Sequence, residues 1–372
     1  MKLGLFLSGG GSRAAYQVGV LKALQEINPK VKFPVIVGFS AGAINASYLA
    51  SQADQFSRAI LNLERMWART YFENVFRTDF VFFLGRALKL FWDLSFGGIH
   101  RNTTLDSVLD SSPLREFLKP LIFFENIERH LNDGSLQAFA ISATDYSNGQ
   151  AVTFYQDRNH TLPWVRRRRR SLPVKVNLEH LMASAAIPVL FPSIQVEGSY
   201  YGDGLIRNTA PLSPLIHLGA EAMVIIGVRK QVSAAAGEGL QRRPSLGRIL
   251  GTVLNALILD HSDGDVERLS QINQTVELIP QVDRERLGFR KVPYLWITPS
   301  EDIGAMAKDH VNRMPRVLRY VLRGLGKKED FSEVASYLLF HPSFTERLIE
   351  LGYRDTLKKS DEVKDFYALV GI

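Results

Sequence analysis

Cysteine is absent from all 372 residues. That excludes a disulfide framework, a thiolate metal site and a cysteine nucleophile, and it fits a reducing compartment. Long apolar runs are also missing, and no stretch reaches the length of a membrane span. The first apolar run, Leu3 to Leu7, is too short for a secretion signal and has no small-residue cleavage site behind it. A cytoplasmic location is therefore expected. There is no Gly-Lys-Ser/Thr phosphate loop, and Gly-x-Gly-x-x-Gly fails because Ala14 stands at the third glycine. Acidic excess is lacking too. The net charge is +7, but five positives lie in one run, Arg166 to Arg170. Outside it the chain is mildly basic, and no stacking aromatics interleave the run, so a nucleic-acid function is not indicated.

What is present centres on Val35 to Ile44. Apolar residues run into Gly38-Phe39-Ser40-Ala41-Gly42, and helix-compatible residues follow. A buried strand, a sharp turn and a helix are expected there, with Ser40 strained at the apex and its hydroxyl exposed to attack a substrate. The flanking glycines are needed because a Cβ at either position would strike the neighbouring element. Gly-x-Ser-x-Gly alone is a weak signal; the strand-to-helix context strengthens it. The helix start adds free N–H groups and a partial positive charge at the same spot.

One strand-and-helix unit precedes the elbow. Leu3 to Leu7 reads as a strand, Ser8 to Arg13 as a glycine-rich loop, and Ala15 to Ile27 as an amphipathic helix. The resulting β-α-β-α start implies a parallel sheet whose loops emerge at one carboxyl edge. Gly9-Gly10-Gly11 allows three readings: a phosphate cradle, an oxyanion hole for an intermediate on Ser40, or a tight turn. The nearby elbow favours the oxyanion hole. Arg13 either braces this loop, contacts an anionic group or is solvated.

Further on, the stretch from Phe80 to Phe96 is rich in aromatics and reads equally as core, as a cap or as a surface that dips into a bilayer. A helix is expected within 104–118, broken or restarted near Pro113, and a shorter one ends at Gly134. Strands are expected over 136–144 and 151–155 around an Asn148-Gly149 turn. The arginine run is expected in the next loop, as a solvated mobile segment or a contact for anionic headgroups. A hairpin around Glu197-Gly198 leads to Gly202-Asp203-Gly204, either a simple turn or a second loop on the catalytic edge. Strands at 222–228 and 294–298, a loose loop at 231–247 and helices from Asp302 to the end complete the chain.

These features resemble the patatin-like phospholipase family. Its signatures are matched by Gly9-Gly10-Gly11-Ser12-Arg13, Gly38-Phe39-Ser40-Ala41-Gly42 and Asp203-Gly204, and Ala183-Ser-Ala-Ala-Ile-Pro188 resembles another family block. The resemblance spans about residues 1 to 230. It departs from the family at Ala14 and Leu205, which bear on loop packing and substrate shape. It implies a three-layer α/β/α fold with a mostly parallel central sheet in residues 1–230. A late strand and a helical extension are expected to pack on that domain in residues 231–372. It also implies a metal- and cofactor-free lipid acyl hydrolase of phospholipase A type. Ser40 is the implied nucleophile, Asp203 its base, and the Gly9, Gly10 and Gly11 N–H groups, with Arg13 nearby, the oxyanion site. Lipid is the expected partner, with peripheral membrane contact.

Three rivals are distinguishable. A triad hydrolase would draw its histidine from His217, His261, His310 or His341, but that fold places several strands before the elbow. An acyltransferase would share the elbow and also need a histidine. A non-enzymatic nucleotide- or membrane-binding protein would use the glycine loop for phosphate and the arginines for lipid.

Overall fold

In the computed structural model, the described residues are 1–79, Gly85, 107–231 and 243–372. The first strands are β1 (Leu3–Leu7), β2 (Val35–Phe39), β3 (Ala138–Asp145), β4 (Gln150–Asp157) and β5 (Val165–Arg166). The rest are β6 (Arg169–Pro173), β7 (Ile194–Val196), β8 (Ser199–Asp203), β9 (Ala222–Ile226) and β10 (Tyr294–Ile297). The sheet runs β10-β9-β1-β2-β3-β4-β6-β5, and β10 through β3 are parallel. β4 turns back antiparallel on β3.

The strand residues alternate between two cores. Leu3, Leu5, Leu7, Ile36, Val224 and Ile226 point to one face, and Phe6, Val35, Val37, Phe39, Met223 and Ile225 to the other. Burial on both faces is why these strands read as continuous apolar runs instead of alternating ones. α1 (Ala15–Ile27), α2 (Ala41–Ala50) and α3 (Phe56–Ala68) cover the first face, joined by the Lys328–Leu338 and Pro342–Lys358 helices. The Ser213–His217 and Asp260–Leu278 helices contribute Leu215, Val266 and Leu269 to the second. The result is three layers, α/β/α, with a mostly parallel sheet and a helical C-terminal region. The chain ends meet, since the N-terminal ammonium of Met1 donates to the Val370 carbonyl at 2.9 Å.

Register places the functional edge. β2 pairs with β3 up to Phe39↔Ser142. β4 occupies the far side of β3 along its whole length. The next β3 residues therefore take a new partner on the β2 side: β8 enters antiparallel, with Asp203 opposite Ala143, Gly202 opposite Thr144 and Tyr201 opposite Asp145. β8 thus continues the place in the sheet that β2 leaves at Phe39. The residue after Phe39 is Ser40.

Two expectations are corrected. The arginine run is not a mobile loop: Arg166 ends β5, Arg169 begins β6, and the two strands form an antiparallel hairpin on the sheet edge. A 19-residue helix, Asp260–Leu278, fills a stretch for which no element was expected. The helix expected within 104–118 is described only as Ser112–Leu118, with Pro113 in its first turn where a missing N–H costs nothing. The aromatic stretch from Phe80 to Phe96 and most of the loop expected at 231–247 lie outside the described residues.

Candidate active site

Ser40 sits at φ 52°, ψ −128°, a backbone strain that a residue with a side chain rarely adopts. The tight turn around it depends on its glycines. A Cβ on Gly42 would lie 2.3 Å from the Ser8 carbonyl oxygen and 2.4 Å from that of Leu7, and one on Gly38 2.5 Å from the Ala46 Cβ. Ser40 precedes α2 but makes no side-chain cap bond to it, so its hydroxyl is not spent on the helix. Its own N–H donates to the Ser184 hydroxyl at 3.2 Å.

Asp203 is the last residue of β8 and fully buried. Its N–H donates to the Ala186 carbonyl at 2.8 Å, and its carbonyl accepts from the Thr144 hydroxyl at 2.8 Å. One carboxylate oxygen, Oδ1, accepts from the Leu205 N–H at 3.0 Å; Oδ2 has no partner among the described residues. Burial pushes this carboxyl up to about 6, against the stabilising effects of the Ser40 hydroxyl and the Leu205 N–H. The Ser40 hydroxyl is therefore near enough to influence the charge, although no hydrogen bond of ordinary length closes between the two side chains. Tyr146 lies alongside: a Cβ on Gly202 would lie 2.1 Å from its hydroxyl. Burial, and then the Asp203 charge, raise the Tyr146 phenol.

The glycine loop meets the same spot. A Cβ on Gly9 would lie 2.8 Å from the Ser40 Cβ and 2.4 Å from a Leu205 methyl. Any side chain there would occupy the space beside Ser40. Among the described residues, the N–H groups of Gly9, Gly10 and Gly11 have no protein acceptor. Below the loop a buried polar chain holds its base. Gln17 donates to the Ser8 carbonyl at 2.7 Å, Asn45 donates to the Ala14 carbonyl at 3.0 Å and to Gln17 at 2.9 Å, and the Trp67 indole donates to Asn45 at 2.8 Å. Fully paired buried groups of this kind fix geometry, because leaving one unpaired costs about 1–3 kcal/mol.

Arg13 does not face solvent. It is 2 % exposed and runs into the Lys328–Leu338 helix. Its Nε donates to the Ser336 hydroxyl at 2.8 Å, its Nη2 meets Glu333 at 2.6 Å, and its guanidinium lies 4.2 Å over the Tyr337 ring. Burial works to raise the Glu333 carboxyl, but Arg13, together with Asn255 and Arg229, more than offsets it and holds that carboxyl below its usual value. Ser12 donates to the Ser336 carbonyl at 2.6 Å. Gly11, at φ +58°, packs so closely that a Cβ would lie 2.1 Å from the Tyr337 carbonyl oxygen. The loop is clamped between the sheet and a helix more than 300 residues away in sequence.

The four candidate histidines stand elsewhere. His217 packs edge-on against Trp164, His261 contacts the Leu257 carbonyl, and both His310 and His341 contact Ser343. None has a hydrogen bond to Ser40 among the described residues. Sequence reasoning did not pick out Ser184, Tyr146, Glu333, Ser336 or Tyr337. Ser184 carried a signal, since it lies in the Ala183 to Pro188 block; the others had none in the local sequence.

No curated protein is matched by the chain. Among solved structures it is similar to VipD from Legionella pneumophila at 15% identity, covering 97% of this chain and 67% of that one, with a TM-score of 0.34. A family model, Patatin-like phospholipase, matches residues 5–216. With more than half of its length matched, the chain belongs to the patatin-like phospholipase family.

Proposed function

We propose that the protein is a serine lipid acyl hydrolase acting on carboxylic esters of glycerophospholipids or related lipids through a Ser40–Asp203 dyad. The observation that carries this reading is the register of β3, which sets the residue after β2 and the last residue of β8 side by side. Ser40 Oγ attacks the ester carbonyl while its proton passes to Asp203. The oxyanion is held by N–H groups of the Gly9 to Gly11 loop, each such donor being worth about 3 kcal/mol in the transition state. Collapse breaks the ester bond, and protonated Asp203 returns the proton to the departing alcohol. Water then gives a proton to Asp203 and attacks the acyl-enzyme; the bond to Ser40 Oγ breaks, Asp203 passes that proton to the leaving Oγ, and fatty acid departs with Ser40 restored. An ordinary aspartate is a weak base for an alcohol. A carboxyl pushed up to about 6 by burial is better matched to the task while still largely ionised at neutral pH.

The test is incubation of wild type, Ser40→Ala and Asp203→Asn with mixed phospholipids, with and without an added acyl acceptor. In parallel the three proteins are labelled with a fluorophosphonate. Fatty-acid release and labelling by wild type alone are expected. Equal labelling of Ser40→Ala, or no labelling of wild type, would remove the nucleophile from the scheme. Dominant transfer to the added acceptor would make the enzyme an acyltransferase instead.

A further inference from the structure

Three tips project beyond the carboxyl edge that holds Ser40. They are the turn between β3 and β4 (146–149), the turn of the β5–β6 hairpin (167–168) and the turn of the β7–β8 hairpin (197–198). Their common level follows from register: Thr144 pairs with Ala151 and Gly202, and Ala151 pairs with Arg169. The Arg168 carbonyl accepts the Ala151 N–H at 3.0 Å, which fixes the hairpin turn to this edge.

The run of five arginines divides in two on this frame. Arg170 is tied to buried Asp145 at 3.0 Å and Arg169 donates to the Ala210 carbonyl at 3.2 Å, so these two are structural. Arg166, Arg167 and Arg168 are exposed, and none has a carboxylate within ion-pair reach among the described residues. Among the described residues, Arg166 bonds only the neighbouring Val165 carbonyl. Arg207, also exposed, donates to the Gly149 carbonyl on the adjoining turn. Against these four guanidinium groups the neighbouring tip carries one acid, Glu197. The local positive field is felt by His217: burial lowers its imidazole, and Arg166 and Arg169 lower it further.

Large apolar and aromatic side chains accompany the charges. Val165 is 69 % exposed beside Arg166. Tyr146 and Tyr200, whose backbones are bonded to each other, are 48 % and 52 % exposed. Val189 is 71 % exposed and held at φ 68°, in the loop just after Ala186, whose carbonyl takes the Asp203 N–H. Unpaired cations mixed with exposed aromatics and valines suit a bilayer interface, where guanidinium groups meet phosphates and amphipathic rings sit at headgroup depth. A solvated hairpin would not need the apolar members. A nucleic-acid surface would pair the arginines with a row of stacking rings along a groove.

We infer that the β5–β6 hairpin, with Arg166, Arg167 and Arg168, docks the catalytic edge onto an anionic phospholipid bilayer. This inference rests on the lipid hydrolase reading of that edge. It adds that negatively charged bilayers are the preferred surface, and that the hairpin orients the protein with Ser40 toward the lipid.

The test measures co-sedimentation of full-length Ser40→Ala, which leaves the lipid intact, with two kinds of vesicle: phosphatidylcholine alone and phosphatidylcholine mixed with phosphatidylglycerol. The comparison protein adds Arg166→Ala, Arg167→Ala and Arg168→Gly, with glycine chosen at 168 because that residue sits at φ 65°. A cation near an anionic surface is worth about a fivefold change in affinity. Loss of three therefore weakens binding to the charged vesicles about a hundredfold, and added salt weakens binding of the Ser40→Ala parent in the same direction. A second comparison, Arg166→Lys with Arg167→Lys, keeps the charge and is expected to keep binding. Equal binding of the charge-deleted and parent proteins, equal binding to both vesicle types, or binding to a DNA duplex and to neither vesicle would each overturn the inference. If vesicle binding fails while a fluorophosphonate still labels wild type at Ser40, the docking surface falls and the hydrolase stands.

Discussion

The carboxyl edge of the sheet has an inner and an outer part, and arginine marks both. Inside, Arg13 is buried, paired with Glu333, bonded to Ser336 and stacked on Tyr337. Outside, Arg166 to Arg168 are exposed and face no carboxylate within ion-pair reach among the described residues. The same side chain does opposite work according to its surroundings. A buried charge left without its partner costs several kcal/mol, so Arg13 fixes one geometry. An exposed charge contributes little to folding and is free to meet something else.

The sharpest way to break this contrast is at the proposed inner pair, Ser40 and Asp203. Asp203→Asn is expected to lower ester turnover by about ten-thousandfold, the upper end of what a general base contributes. The same substitution should stabilise the fold. Burial raises the carboxyl from its ordinary 3.8 to about 6, so the folded chain binds that proton more tightly than the unfolded one. Wild type therefore loses stability as pH rises from about 4 to about 6. The asparagine variant does not, and gains at most about 3 kcal/mol above that range. Thermal melts of both proteins across this pH range check it; equal melting at all pH values would mean the carboxylate is better solvated than its burial indicates.

Next in size is the clamp. Glu333→Gln keeps a hydrogen-bonding oxygen for Arg13 but removes the opposite charge. It is expected to lower kcat by about ten- to a hundredfold with little change in KM, because a shifted N–H row weakens only transition-state contacts. Steady-state kinetics on a short-chain ester would show the split; an equal rise in KM would place Glu333 in substrate binding instead. A smaller effect is expected in the pH profile of wild type. kcat/KM should rise through about pH 6 as Asp203 ionises. In Asp203→Asn the residual rate should lose that inflection. Smallest of all, removal of Arg166, Arg167 and Arg168 together should leave folding stability within about 0.5 kcal/mol in denaturant melts, as for surface positions without partners.

The two parts also differ in how far they could be read in advance. Ser40 was legible because strand, apex and helix are contiguous, and the strain at the apex is a local property. Strands β1 and β9 were legible for a similar local reason: fully buried strands are uninterrupted apolar runs. That Asp203 belongs beside Ser40 was given by the family resemblance and not by the local residues. Asp-Gly alone reads as a turn, and only the exchange of partners along β3, at Ser142 and Ala143, brings the two loops together. The tie from Arg13 to Glu333 was out of reach, because a contact across 320 residues leaves no periodic trace. The arginine hairpin was misread because like-charge repulsion argues for a loop, while the restraint comes from Asp145 and from β4, both set by tertiary pairing. The helix at 260–278 hid behind its polar face and Gly264, although Val266, Leu269, Asn273 and Val276 lie on one buried stripe.

The clasp of Ser12 and Arg13 by Ser336 and Glu333 sets an order on the birth of the enzyme. On the ribosome the turn around Ser40 is made first, yet the loop beside it must wait for partners more than 300 residues further along. A nascent chain carrying Ser40 therefore lacks this clamp until Glu333 and Ser336 have been added and folded back onto it.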